Sequence, residues 1–404
     1  MSHALHQQWV RDLCLGCALL LSVAGLLFFP AAAMEGARAG LSLCYNVIIP
    51  SLFPFFVLSS LVVELGLAAY LGRALEHLMR PLFRVPGVCS AAFVLGFVGG
   101  YPVGARTAIE LYENGMCTKT EGERLLAFCN NSGPAFILGV VGVGIFSSPA
   151  VGVLLYLCHI AASLCVGFLF RFYKGSETGR PTKTEQLFHV EQFSVAFPGC
   201  IKSSFSSVLN ICAFVLFFAV ALRLFSASGI LPFLAELLGR IFAPLGFSAL
   251  WGERLLTGLL ELSSGVASLS GGGGSLSMAA FMLGWAGLSV HCQVLSFLGG
   301  SDLSPRTYLV GKLLHGSLSA LFVWLVTRFF LPAETVSVYL AEQVGQLVEL
   351  EFSSTLAGAA VASFLVFLFF FFLAFSCGKK RKPVIQCKKR RIKRSSWRGT
   401  HHAV

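Results

Sequence analysis

Charge is what this sequence has least of. Asp, Glu, Lys and Arg together make 12% of its 404 residues, against 56% hydrophobic residues. A soluble domain usually carries about 25% charge. The mean hydropathy of +0.78 places the chain with polytopic membrane proteins instead. Signatures of catalysis and metal binding are missing as well. No H-E-x-x-H occurs, and the glycines at 271–274 are followed by no Gly-Lys-Ser/Thr, so zinc-protease and P-loop chemistry have no support. Cys14-x-x-Cys17 has metal spacing but no second pair. Most of the thirteen cysteines lie in apolar runs, where cysteine acts as a small hydrophobe rather than as half of a disulfide framework. Ser289 and His291 are two apart and point in different directions from one helix, so they form no catalytic pair. The expectation is a protein that is not an enzyme, with no catalytic residues, no metal and no cofactor.

Acid is also missing from one end. None follows Glu351, and residues 379–398 hold eleven of the thirty bases. The remainder therefore balances nineteen bases against nineteen acids, and the net charge of +11 belongs to the tail. A basic run just after a membrane helix suits topogenesis and anionic-lipid binding rather than nucleic acid, and the positive-inside rule puts it in the cytoplasm.

What is present is a series of apolar segments. Residues 13–33 read as a first span, and the alanines at 31–33 also resemble a cleavage site. The run is long for a signal peptide, which favours an uncleaved helix. A span at 45–67 follows, then an amphipathic stretch at 71–83, where Arg73, Glu76, His77, Arg80 and Arg84 alternate with leucines. Residues 88–112 read as a re-entrant hairpin tipped near Tyr101-Pro102, and 125–146 and 151–172 as two more spans. After a polar connection the pattern recurs: a span at 203–224, an amphipathic stretch at 231–247, a short segment at 255–270, and spans at 278–298 and 308–331. A final span at 355–377 follows the acidic 332–351.

The recurrence can be followed by residue. The 97–104 break corresponds to 260–267, with its own Ser263-Ser264-Gly265. Asn131-Ser132-Gly133-Pro134 corresponds to Trp285-Ala286-Gly287-Leu288, and His159 with Arg171-Phe172 corresponds to His315 with Arg328-Phe329. Bases after the first unit point inward, whereas the acidic 332–351 after the second points outward, so the halves form an inverted repeat. The fold class expected is all-α: a polytopic membrane protein with an inverted-topology repeat, about eight full crossings and two re-entrant or broken hairpins. Its parts are an N-terminal helix (1–40), a first repeat (41–172), a cytoplasmic linker (173–198), a second, degenerate repeat (199–331), an external loop with the final helix (332–377), and the polybasic tail (378–404).

The breaks carry the functional signal. Polar side chains and interrupted backbone are costly in hydrocarbon unless they line a wet cavity or face protein. Matching breaks in inverted halves mark a transporter-type site. The substrate-binding candidates are Tyr101, Pro102, Asn130, Asn131 and Ser132 from the first half, with Glu261 and Ser264 from the second. Against this stands a plainer reading: Gly96, Gly100 and Gly104 as close helix packing, the asparagines as partners for the broken backbone, and His159, His291 and His315 as separate interhelical histidines. Arg106 is the only fixed positive charge that can be placed near the breaks, which suits the site poorly to a multiply charged anion.

F-V-G-G-Y-P-V-G-A-R at 97–106 and C-N-N-S-G-P-A-F at 129–136 resemble the YlbJ-type sporulation integral membrane proteins. These contain the nucleoside-recognition (Gate) domain, itself similar to part of concentrative nucleoside transporters. The resemblance covers roughly 40–330 and is most specific over 95–140. In the second half it departs: 260–267 has no Tyr-Pro, and 285–288 has no Asn-Ser pair. It implies a role in endospore formation in a Gram-positive bacterium. The function expected is transport of a small polar solute, nucleoside-like by the resemblance. The alternative is a non-transporting scaffold for assembly of the spore envelope. The partners expected are the bilayer, anionic lipids at the tail and the solute, with no nucleic acid. Self-association and contacts with spore-envelope proteins are left open.

Overall fold

The computed structural model describes residues 2–174, 192–246, 248–270 and 275–329. Most of the 173–198 connection, the acidic 332–351, the final span and the basic tail lie outside the described residues. Among the described residues there is no strand. Helix α1 (Ser2–Phe28) meets α2 (Pro30–Leu43) at a bend of 96°. Pro30 at the first position of α2 lacks an N–H where a helix start needs none. The alanines at 31–33 therefore begin a second helix rather than ending the first. After a π-helical turn, α3 (Ile49–Glu64) continues the chain.

A unit of the same design is then laid down twice. In the first, α4 (Ala68–Phe83) buries Met79 and Phe83 and exposes Leu78 and Arg80. Helices α5 (Ser90–Gly99) and α6 (Val103–Glu113) pack together as a hairpin, with Gly100-Tyr101-Pro102 at its tip. Helix α7 (Lys119–Leu126) runs into a non-helical 130–133, a π-helical segment Ala135–Ile145 follows, and α8 (Pro149–Phe170) closes the unit. The second unit opens with α9 (Phe193–Ala227), which packs on α2 and α3, and continues with α10 (Ile230–Phe242). Helices α11 (Ala249–Leu260) and α12 (Leu262–Ala267) flank one break. Helices α13 (Leu276–Trp285) and α14 (Gly287–Leu298) flank another, and α15 (Pro305–Phe329) closes this unit. Helix, amphipathic helix, broken pair, broken pair and closing helix thus occur in the same order twice.

Some details differ from the sequence reading. The second-half break falls at Glu261, not at Ser263-Ser264-Gly265, because Glu261 takes an extended backbone and the serines enter α12. The expected span at 125–146 is no continuous helix, since α7 stops at Leu126 and residues 130–133 before Pro134 are non-helical. The span at 278–298 is interrupted at Ala286, whose φ is 79°. Among the described residues four helices are long and apolar enough to cross a bilayer, or up to six if each bent pair is one span.

The closing helices show how the units meet. α15 packs along α8. There His159 and His315, the residues paired by sequence correspondence, stack with ring centroids 4.2 Å apart. The His315 ring Nε2 lies 3.0 Å from the His159 carbonyl. Equivalent residues touching one another is the signature of a two-fold relation between like surfaces. Four residues on, Ser163 and Ser319 are both fully buried. Three residues before, the two differ: Tyr156 in α8, Lys312 in α15.

Candidate functional site

Each broken pair is held closed by backbone packed on backbone. In the first half Gly100 has φ +78°, and a Cβ there would lie 2.9 Å from the Gly133 nitrogen. A side chain at Gly100 would hold the two breaks apart. The carbonyl of Cys129 sits in the notch between Gly96 and Gly104. Both expectations for this glycine run are therefore met at once: the helix breaks at 100–102, and its flanking glycines pack closely. In the second half Glu261 caps α12, its carboxylate accepting from the N–H groups of Ser263 (2.9 Å) and Ser264 (2.7 Å). That arrangement answers the free donors of a helix start and sets a negative charge at its positive end. Gly287 approaches Leu262 from the other break, and Trp285 donates its indole N–H to the Leu259 carbonyl at 3.2 Å.

Between the breaks lies a buried polar cluster centred on Lys312. Its Nζ is 2.9 Å from the Asn130 carbonyl, 3.2 Å from the Tyr101 hydroxyl and 3.4 Å from His315 Nδ1. The Tyr101 hydroxyl donates in turn to the Leu283 carbonyl. The Asn130 side-chain amide donates to the Tyr308 hydroxyl at 3.4 Å, and that hydroxyl lies 3.0 Å from His291 Nδ1. Ser132 donates its backbone N–H to His159 Nε2 at 3.1 Å, and Asn131 donates to the Phe128 carbonyl at 2.9 Å. The three histidines, read as separate from the sequence, belong to this one cluster. Lys312 and Tyr308 were not foreseen. The available signal was a base inside the apolar run of a closing helix, at Lys312 between Leu309-Val310 and Leu313-Leu314, since a charge at depth is rare without a role.

The expected site residues thus separate into two groups. Tyr101, Asn130 and Ser132 join the Lys312 cluster, with Pro102 and Asn131 buried beside them. Glu261 is buried within its own break, while Ser264 has an exposed side chain. Among the described residues no hydrogen bond links the two groups. The halves are joined instead through Lys312 and Tyr308. Arg106 faces the other way, paired with Glu110 at 3.0 Å and bonded to Ser60 and Ser203. The base that touches the first-half breaks is therefore Lys312, so Arg106 is not the only base near them. Several buried atoms of the cluster have no protein partner: Asn130 Oδ1, Asn131 Oδ1, His159 Nδ1 and His291 Nε2. Among the described residues no three His, Cys, Asp or Glu side chains gather as metal ligands.

A second set of polar contacts ties the halves together away from the breaks. Buried Glu123 of α7 accepts from the Ser304 N–H (3.1 Å), the Tyr173 hydroxyl (3.0 Å) and Lys174 (3.4 Å). Beside it, Asp302 accepts from Tyr112 at 2.6 Å and Lys119 at 3.0 Å, and these two partners hold its carboxyl below the usual carboxylate range. Glu123→Gln leaves one acceptor oxygen where there were two. At least one of these partly buried donors then loses its charged acceptor, at a cost of about 1 kcal/mol. A lower unfolding midpoint in detergent is expected. An unchanged midpoint would show that this latch does not hold the halves.

The chain matches the family model described as "Nucleoside recognition" (Gate) over residues 46–173, the whole of the first unit. It is 30% identical over 340 residues to the sporulation integral membrane protein YlbJ of Bacillus subtilis (strain 168), covering 79% of this chain and 83% of that protein. An uncharacterised protein of Alkalihalophilus pseudofirmus is 29% identical over 164 residues, 37% of this chain and 35% of that one. Among solved structures, a CNTnw variant in an outward-facing state aligns over 80% of this chain and 86% of its own, with 14% identity and a TM-score of 0.37. The multi-pass helical architecture, the broken pairs and the extent of this identity agree: the chain belongs to the YlbJ family of sporulation integral membrane proteins.

Proposed function

We infer that the protein carries a small polar solute across a membrane of a sporulating cell, with a nucleoside-like molecule as the first solute to try. The two halves act as inverted repeats, and the solute occupies the space between their breaks. The observation that carries this reading is the cluster of buried polar atoms without protein partners, two amide oxygens and two ring nitrogens, beside the first-half breaks. A buried polar group without a partner is costly, and four around one centre suit a ligand that supplies donors and acceptors. The match to a nucleoside-recognition model over this unit supports the choice of solute, and the similarity to a sporulation membrane protein supports the setting.

Reconstituted protein is expected to take up radiolabelled uridine faster than empty liposomes do, with unlabelled nucleosides competing. One observation favours the scaffold reading: Glu261 and Tyr101 both spend hydrogen bonds on backbone at the breaks. Absence of uptake and of ligand-induced thermal stabilisation across a panel of nucleosides and other small polar solutes, together with co-purifying envelope proteins, would decide for the scaffold.

A further inference from the structure

A lysine ammonium has three N–H donors and no acceptor. The surroundings of Lys312 Nζ offer three acceptors, one for each. The Asn130 carbonyl can only accept. The Tyr101 oxygen is free to accept because its own proton goes to the Leu283 carbonyl. His315 lies with Nε2 facing the His159 carbonyl, so that nitrogen carries the ring proton, and Nδ1 presents a lone pair to Nζ. The cradle therefore matches the charged amine. A neutral amine, with two donors, would leave one acceptor facing its lone pair.

No carboxylate accompanies this charge. Around Nζ stand Tyr101 from the α5–α6 turn, Cys129 and Asn130 from the end of α7, His159 from α8, His291 from α14, and Tyr308 and His315 from α15 itself. Helix α13, which also packs on α15, carries no titratable side chain on this face. The acids and bases of α7 are engaged elsewhere: Lys119 with Asp302, Glu121 in its capping box, Glu123 in the latch, and Arg124 on the carbonyls of Arg84, Tyr173 and Lys174. Lys312 is 1% exposed. A buried ion held only by neutral groups has no fixed partner to keep it charged, so its protonation depends on water access and on what else occupies the site.

We propose that Lys312, sharing its proton with His315, is the proton-binding site that couples solute movement to the proton gradient. The proposal rests on the transport reading above and names its driving ion. One proton from water on one side binds the Nζ lone pair and completes three ties: to the hairpin tip at Tyr101, to the α7 break at Asn130, and along α15 to His315. The proton can pass from Nζ to His315 Nδ1. The charge is conserved, the imidazolium still donates to the His159 carbonyl, and Nζ is left with its lone pair. Release to water on the other side leaves Nζ with two N–H donors for three acceptors, so one tie is lost; where it is the tie to Tyr101, the hairpin tip is free to shift against α15.

The test uses full-length protein in liposomes with uridine as the probe, in sodium-free buffer. An inward proton gradient is expected to raise initial uptake about tenfold, and a protonophore should abolish the gain. Lys312→Met should equilibrate uridine at a rate indifferent to the gradient, and His315→Gln should weaken the response without abolishing it. Uptake by Lys312→Met that still follows the gradient, or wild-type uptake that needs sodium and ignores protons, overturns the proposal while leaving transport intact. If no uridine enters, the transport reading fails first, and the site is judged in detergent. There the gap between the unfolding midpoints of wild type and Lys312→Met should change with pH, because all three ties, to Tyr101, Asn130 and His315, are made only while the amine is charged. Parallel curves overturn the proton site. Should Lys312→Met not accumulate, Lys312→Arg serves in its place: it keeps the charge at all working pH, so gradient-driven uptake should be lost, and retention of it overturns the proposal.

Discussion

Gly104→Ala is expected to remove the folded protein from the membrane. An added Cβ at this position would stand 2.0 Å from the Cys129 carbonyl oxygen and 2.9 Å from the Cα of Gly96. Both obstacles are backbone, so no side-chain rotation relieves the contact. The methyl group can enter only if α6 moves away from α5 or the α7 break moves away from both. Either shift disturbs the Asn130 carbonyl, one residue along, on which Lys312 depends. Overpacking a well-filled core costs about 1–3 kcal/mol where neighbours can yield, and here they cannot. A loss of about 3 kcal/mol is a large share of the roughly 5–15 kcal/mol that holds a typical domain. Gly96→Ala meets the same carbonyl at the same distance and should behave alike. Gly139→Ala, with nothing within 4 Å of its new Cβ, is the control. Membrane abundance and unfolding midpoint check this: normal values for Gly104→Ala would mean that the clasp on Cys129 is looser than the packing described.

The first-half break was legible in the sequence because its cause is local. Pro102 has no N–H and cannot continue a helix, and Ser132-Gly133-Pro134 supplies the same signal at the second interruption. The Glu261 break was placed two residues late because no proline or glycine marks it. A side-chain cap ends one helix and starts the next, and the serines that looked like the break are its hydrogen-bond donors. The duplicated order of elements followed from hydropathy and from pairs such as His159 and His315. Their contact did not, since it depends on how the two closing helices cross. Lys312 escaped for that reason. Its three acceptors come from residues 101, 130 and 315, and only the meeting of the halves brings them together.

Glu261 offers the sharpest division between a structural residue and one that also meets solute. In Glu261→Ala the two N–H groups at the start of α12 lose their side-chain acceptor, a lost cap that costs about 0.5–2 kcal/mol, and the negative charge at that helix end is lost as well. The six residues of α12 cannot make up that loss from within, so low abundance and a lower unfolding midpoint are expected. Glu261→Gln behaves differently. It keeps one oxygen in place to accept from Ser263 or Ser264, and the protein should insert at close to normal abundance. A carboxylate has about four lone-pair sites, and the two backbone donors occupy two of them, leaving others open to hydroxyl or amide donors of a bound solute. The glutamine loses both the charge and an oxygen, so solute uptake should fall by about tenfold or more, the loss of roughly 1.5–3 kcal/mol that a hydrogen bond to a charged group supplies. Uptake and abundance measured on the same preparations separate the roles. Normal abundance with lost uptake places Glu261 at the solute, whereas normal uptake in Glu261→Gln would confine it to capping α12.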